Sequence, residues 1–167
     1  MAGSILFLCT GNAARSVMAG AALRHRRPDL HVETAGTLSV DGMPISWRTR
    51  AALDAVGLGW PRHASRQAHA ADLAGAGLVV ALAPEHVEWV RRQHPAVAER
   101  TATLVRLARD LPRDSRSLSE RLATLDPHDV ELEAWEEVVD PGGGEAEAFV
   151  ACARQIVELI DQLAPKL

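Results

Sequence analysis

Apolar residues follow two rhythms along the chain. Short unbroken runs at residues 4–8 and 77–82 suit strands buried on both faces of a parallel sheet, and residues 31–35 and 100–104 read as a second and a fourth short strand. Between them, apolar positions recur at helical spacing. The spacing predicts helices over residues 16–26, 45–56, 68–74, 84–93, 104–111 and 118–125, and a long one over 145–163. The last has Phe149, Cys152, Ile156, Leu159, Ile160 and Leu163 on one face. Strands that alternate with helices predict an α/β fold built on a parallel sheet.

The punctuation agrees. Pro28 stops the first helix after the cations Arg24, His25, Arg26 and Arg27, which suit a helix C-terminus. Pro84 suits a helix's first turn, and Gly57 and Gly59 end the second helix. Residues 129–137 are rich in Asp and Glu, with only Trp135 as a large anchor, and read as a solvated acidic segment. Asp140-Pro141-Gly142-Gly143-Gly144 reads as a mobile loop.

A chain of 167 residues fits one domain spanning residues 1–167, with an adequate core. Its net charge of −4 argues against a nucleic-acid partner, which is usually bound by a strongly basic face. No apolar run approaches the ~20 residues of a membrane helix, so no membrane partner is expected. The N-terminus lacks a basic region followed by a long apolar core, and no signal peptide is expected. Two distant cysteines, Cys9 and Cys152, form no disulfide framework and suit a reducing, cytoplasmic location. Cys152 lies on the apolar face of the last helix and reads as structural.

Candidate chemistry concentrates where the first strand meets the first helix. Cys9-Thr10-Gly11-Asn12-Ala13-Ala14-Arg15-Ser16 is a tight polar loop long enough to wrap a tetrahedral anion. Gly11 and Asn12 tolerate backbone angles that other residues resist. Ala13 and Ala14 keep side chains out of the way. Convergent N–H groups and a helix N-terminus favour phosphate, and together with an arginine they favour the thiolate of Cys9. Arg15 can hold two phosphate oxygens at once, and Ser16 can donate to the Cys9 sulfur. Cleavage of a phosphate ester by a thiolate benefits from a proton for the leaving oxygen. Two Asp-Pro pairs, Asp126-Pro127 and Asp140-Pro141, can supply it. His63 reads as a loop histidine bonded to backbone. His86, Trp89 and His94 lack a metal-ligand grouping and read as packing or solvated residues. No metal and no cofactor is expected.

CTGNAARS, Thr34-Ala35-Gly36-Thr37 and His63-Ala64-Ser65-Arg66-Gln67 together resemble the low-molecular-weight protein tyrosine phosphatase family. The resemblance runs from the first strand to the last helix. It implies a four-stranded, flavodoxin-like parallel sheet flanked by helices, and hydrolysis of phosphomonoesters through a cysteinyl-phosphate. It implies Cys9, Arg15 and Asp140 as catalytic residues, Asp140 because its glycine-rich loop and final helix resemble the family's Asp-Pro loop. It implies Thr10, Gly11, Asn12, Ala13, Ala14 and Ser16 as the substrate-binding loop. The partners implied are a phosphorylated protein or small phosphomonoester, and phosphate- or sulfate-like anions.

The chain departs from the family where Ala14 replaces a second cysteine and Val17 a proline. Where the family walls its pocket with aromatics, Leu38, Ser39, Val40, Gly142 and Gly143 stand here, so a phosphotyrosine ring meets fewer stacking partners, with Trp47 available but better suited to core packing. Phosphotyrosine is the leading substrate. A phosphoarginine phosphatase, an arsenate reductase (for which two distant cysteines fit poorly) and a phosphate-binding regulatory domain are the alternatives.

Overall fold

The computed structural model describes residues 3–60 and 62–167; Met1 and Ala2, on which the signal-peptide expectation partly rests, and Pro61 lie outside the described residues. β1 (Ser4–Cys9), β2 (Val32–Gly36), β3 (Ala76–Ala81) and β4 (Thr101–Thr103) pair in parallel in the order β2-β1-β3-β4. This is the four-stranded α/β architecture expected, with each strand end within two residues of its expected place. β1 lies inside the sheet, and all six of its residues are buried.

The two-residue period of β1 separates its side chains into two cores. Ile5, Phe7 and Cys9 join the larger one, with α1 (Arg15–Arg26), α2 (Trp47–Ala55), α5 (Leu104–Asp110) and α7 (Ala146–Leu163). Leu6 and Leu8 face α3 (Ala70–Gly75) and α4 (Pro84–Gln93). α6 (Leu118–Ala123) packs beside the 3-10 turn at Pro95–Arg100. α7 buries Phe149, Cys152, Ala153, Ile156, Ile160 and Leu163 and packs against α1, α2 and α5. Among the described residues no helix is long and apolar enough to cross a membrane.

The cations at the end of α1 do more than complement its C-terminus. Arg24 donates to the Val32 carbonyl, Arg27 to the Ala164 carbonyl, and Arg26 pairs with Asp161, tying the helix end to β2 and α7. Two expectations are corrected. The segment 129–137 is not solvated throughout, because Glu136 is fully buried against Arg106 and Thr103. Trp47 is not a core residue: it opens α2 on the outside, about half exposed, under the Arg48 guanidinium 4.8 Å from its ring.

Candidate active site

The parallel sheet brings the carboxyl ends of β1 and β3 together, and the loop after β1 lies there, as ligand sites do in open α/β sheets. Alternation leaves Cys9 as the last residue of β1, on the α1 side. α1 starts at once from Arg15, with no side-chain cap and no acidic residue in its first turn, so its positive end is left to face the loop. By contrast, Ser46, Thr103 and Ser117 cap α2, α5 and α6.

The loop is shaped by its carbonyls. Cys9 O accepts from Thr37 N (2.9 Å) and Thr10 O from Leu38 N (3.0 Å). Gly11 O accepts from Ser39 Oγ (2.8 Å) and Asn12 O from His63 Nε2 (2.7 Å) and Ser65 Oγ (3.0 Å). Ala13 O accepts from Thr49 Oγ1 (3.2 Å). Five successive carbonyls are thus held by surrounding elements, the kind of restraint a backbone anion nest requires. Asn12 provides the required left-handed turn, with φ 52°. It is fully buried, donating to Ser16 Oγ (2.9 Å) and accepting from Arg66 N (3.0 Å).

Ser16 Oγ lies 3.0 Å from Cys9 Sγ. Because Ser16 accepts from Asn12, its own proton is available to the sulfur, and a thiolate can accept it. His63, bonded as expected to a backbone carbonyl, must donate from Nε2. Burial pushes its pKa down, opposed by that hydrogen bond, so it does so as the neutral imidazole.

Arg15 is buried, yet its guanidinium reaches the mouth. Nη1 donates to Val138 O (3.0 Å), and Nη2 lies 3.5 Å from Asp140 Oδ2. Val138 is fully buried and its N–H bonds Leu82 O (2.8 Å), so the base of the Asp140 loop is pinned to the end of β3. The loop expected to be mobile is therefore fastened at its entry, and Asp140 folds back on the Gly142 N–H (2.9 Å). The other Asp-Pro pair lies elsewhere: Asp126 takes a turn with φ 49° beside a separate hollow shared with Glu99 and His128.

Cys9, Arg15 and Asp140 line one pocket of about 250 Å³. Gly11, Ala13 and Ala14 line it too, and Ser46, Thr49, Gly142 and Phe149 complete its walls. Thr10, Asn12 and Ser16 do not line it: Asn12 and Ser16 support the loop from behind, and Thr10 bonds His86. Sequence patterns missed Phe149 as a wall, Thr49 as a loop brace and His86 as a loop neighbour. The signal available for His86 was its place just after β3, at the same sheet end as Cys9. Cys152, one turn beyond Phe149 on α7, lies closer to the site than its place in the sequence suggests. Burial pushes its thiol up to about 11, opposed by Arg15 and reinforced by the charges of Asp140 and Cys9.

Residues 4–167 match the family model described as low molecular weight phosphotyrosine protein phosphatase. A low molecular weight protein-tyrosine-phosphatase of Streptomyces coelicolor is 33% identical over 161 residues, covering 92% of this chain and 95% of the relative. A protein-arginine-phosphatase of Geobacillus stearothermophilus is 28% identical over 98% of this chain and 95% of its own length. The crystal structure of a low molecular weight protein tyrosine phosphatase from T. tengcongensis superposes with a TM-score of 0.79 at 26% identity, covering 99% of both chains. The match extends over the sheet, the cysteine loop and the final helix alike, and the chain belongs to the low molecular weight phosphotyrosine protein phosphatase family, a family of cysteine-dependent hydrolases.

Proposed function

We propose that residues 1–167 act as one phosphatase domain that hydrolyses protein phosphotyrosine by two displacements at Cys9. The observation that carries this assignment is the meeting of Cys9, Arg15 and Asp140 in one pocket, with Ser16 Oγ 3.0 Å from the sulfur. In the first step the Cys9 thiolate attacks phosphorus and an S–P bond forms as the P–O ester bond breaks. Asp140, as the carboxylic acid, gives its proton to the departing phenoxide. The N–H groups of residues 10–15 and the Arg15 fork hold the equatorial oxygens, whose charge the transition state spreads. In the second step the Asp140 carboxylate takes a proton from water, which attacks the phosphocysteine. Inorganic phosphate leaves, and the thiolate returns.

Ser16 stabilises the thiolate both before and after the cycle, and Asn12 preserves the loop's shape. Phosphate- and sulfate-like anions occupy the same cradle as competitive ligands. Leu38, Val40, Met43 and Val139 stand exposed on segments leading into the site and offer apolar contact to a phosphorylated protein. A free nucleophilic thiol suits a reducing, cytoplasmic setting.

Hydrolysis of p-nitrophenyl phosphate by the wild type, Cys9→Ser and Asp140→Ala tests the mechanism. Loss of turnover in Cys9→Ser is expected, and a Cys9→Ser protein as active as the wild type overturns it. Phosphate binding without wild-type turnover instead identifies a regulatory binding domain. Phosphotyrosine and phosphoarginine peptides, compared at equal concentration, test the substrate, with faster turnover of phosphotyrosine expected.

A further inference from the structure

His86 borders the phosphate loop, is buried, and has no part in the displacement at Cys9. It lies in the first turn of α4, directly beyond the end of β3, and its backbone N–H closes that turn on Ala83 O (3.1 Å). Nε2 lies 2.9 Å from Thr10 Oγ1, whereas Nδ1 is buried with no partner. Burial, reinforced by the Arg15 guanidinium and opposed by Asp140, pushes its pKa down to about 3, so the ring is neutral at pH 7.

A neutral imidazole carries one N–H. On Nδ1 it would be a buried donor facing nothing; on Nε2 it bonds Thr10 and leaves at Nδ1 only an idle acceptor, the more tolerable vacancy. Thr10 Oγ1 then accepts from His86, while Thr10 O accepts from Leu38 N on the other side. Thr10 is the first residue after Cys9, so under the phosphate-loop assignment its N–H is the first that the loop offers to an anion. That N–H shares its peptide plane with the Cys9 carbonyl, which accepts from Thr37 N (2.9 Å), so α4 through the Thr10 side chain and the segment after β2 through the Cys9 carbonyl hold the plane from two elements.

Building on the phosphate-loop assignment of residues 9–16, we propose that His86 is a positioning residue: through Nε2–H···Oγ1 of Thr10 it holds the first N–H of the loop in its anion-binding orientation.

Three readouts test this on the full chain. Long-range ¹⁵N–¹H spectra of the histidine-labelled protein at pH 7 should show His86 as the neutral Nε2–H tautomer. His86→Ala and Thr10→Val should each cut kcat/KM for p-nitrophenyl phosphate about tenfold and weaken binding of inorganic phosphate about as much, and the double variant should lose no more than either alone, as coupled residues do. His86→Gln, whose amide nitrogen can replace Nε2, should regain activity to within about threefold of wild type. An Nδ1–H tautomer, wild-type kinetics and phosphate affinity in His86→Ala, or single losses that multiply to about a hundredfold in the double variant, would overturn it. If His86→Ala does not fold, the tautomer and the His86→Gln and Thr10→Val variants still decide. An inactive wild type would defeat the phosphatase assignment alone, since the tautomer and phosphate affinity are read without turnover.

Discussion

The Arg15 guanidinium spans the two halves of the site: Nη1 donates to the Val138 carbonyl at 3.0 Å, while Nη2 lies 3.5 Å from the Asp140 carboxylate. One side chain at the end of the phosphate loop thus grips Val138, 123 residues further along, at the base of the loop that carries the proposed acid. Arg15→Lys keeps the charge but has a single nitrogen for what two nitrogens now do. It should lower kcat by about 10²–10³-fold, as loss of a transition-state donor does, and weaken inhibition by inorganic phosphate. Steady-state kinetics with phosphate as inhibitor measure both, and a lysine variant with wild-type kcat would remove Arg15 from the mechanism.

Asp140 is more than half exposed, and its proton matters in proportion to how poor the leaving group is. Asp140→Asn should lower kcat/KM by about 10²–10⁴-fold for alkyl and unactivated aryl phosphates and much less for nitrophenyl esters, whose phenoxide leaves unaided. A series of aryl phosphates of rising phenol pKa should give a steeper dependence in the variant than in the wild type. Parallel lines would assign the acid elsewhere.

The base of the same loop rests on Glu136, fully buried, which accepts from Arg106 Nε and Nη2 (both 2.8 Å), Thr103 Oγ1 (2.7 Å) and Glu133 N (2.8 Å). Burial would raise its pKa, but these donors outweigh burial and hold it below the ordinary carboxylate range. Glu136→Gln leaves Arg106 without its buried partner, a loss of about 3–5 kcal/mol. A depressed carboxylate stabilises the fold fully above its unfolded pKa and loses that contribution as pH falls through its folded value. The gap between wild type and variant in urea unfolding should therefore be full at pH 7 and shrink as pH drops below about 4.5. A gap independent of pH would mean that the carboxylate's charge is not what Arg106 requires.

His86 gives acid sensitivity at higher pH. Unfolded, it takes up a proton near pH 6.5; folded, it stays neutral to about pH 3. Between those values the unfolded state binds the extra proton, so stability falls as pH falls, by at most on the order of 5 kcal/mol. His86→Gln cannot titrate and should lose less stability than wild type between pH 6.5 and 4, as read from urea midpoints. Equal losses would show that the ring is protonated in the native state.

These two side chains also mark what the sequence could not convey. Cys9, Arg15 and Ser16 were legible because a strand, a small-residue loop and a helix start lie within sixteen residues. Asp140 was legible because its glycines and the last helix follow it. Glu136 sat within an acidic run, and nothing nearby separated it from the exposed Glu133 and Glu137; its partner, Arg106, is thirty residues away. His86 looked like any helical histidine until β3 was paired with β1. Trp47 had the composition of a core residue, but as the first residue of a capped helix it projects outward.

Gly36 shows how little of the loop's shape lies in the loop itself. It ends β2, paired with Cys9, and its N–H bonds Arg66 O (2.9 Å) while its carbonyl accepts from Ala68 N (2.8 Å). A Cβ built there would sit 2.4 Å from Thr10 O, 2.9 Å from Ser39 Cβ and 3.1 Å from Asn12 N. Thr10 O and Asn12 N are backbone atoms of the phosphate loop, so no rotamer change relieves the clash; either β2 or the loop must shift. β2 is hydrogen-bonded on both sides, to β1 and to the segment holding Arg66 and Ala68, whereas the loop is held by single bonds to Leu38, Ser39, His63, Ser65 and Thr49. The loop is the softer of the two. Gly36→Ala should therefore cost stability by about 1–3 kcal/mol, as overpacking does, and reduce kcat/KM and phosphate affinity by about 10²-fold, the loss expected from a 1 Å misplacement. Urea unfolding together with phosphate titration separates the two effects. A variant that loses stability but binds phosphate like wild type would show that the sheet, not the loop, had yielded.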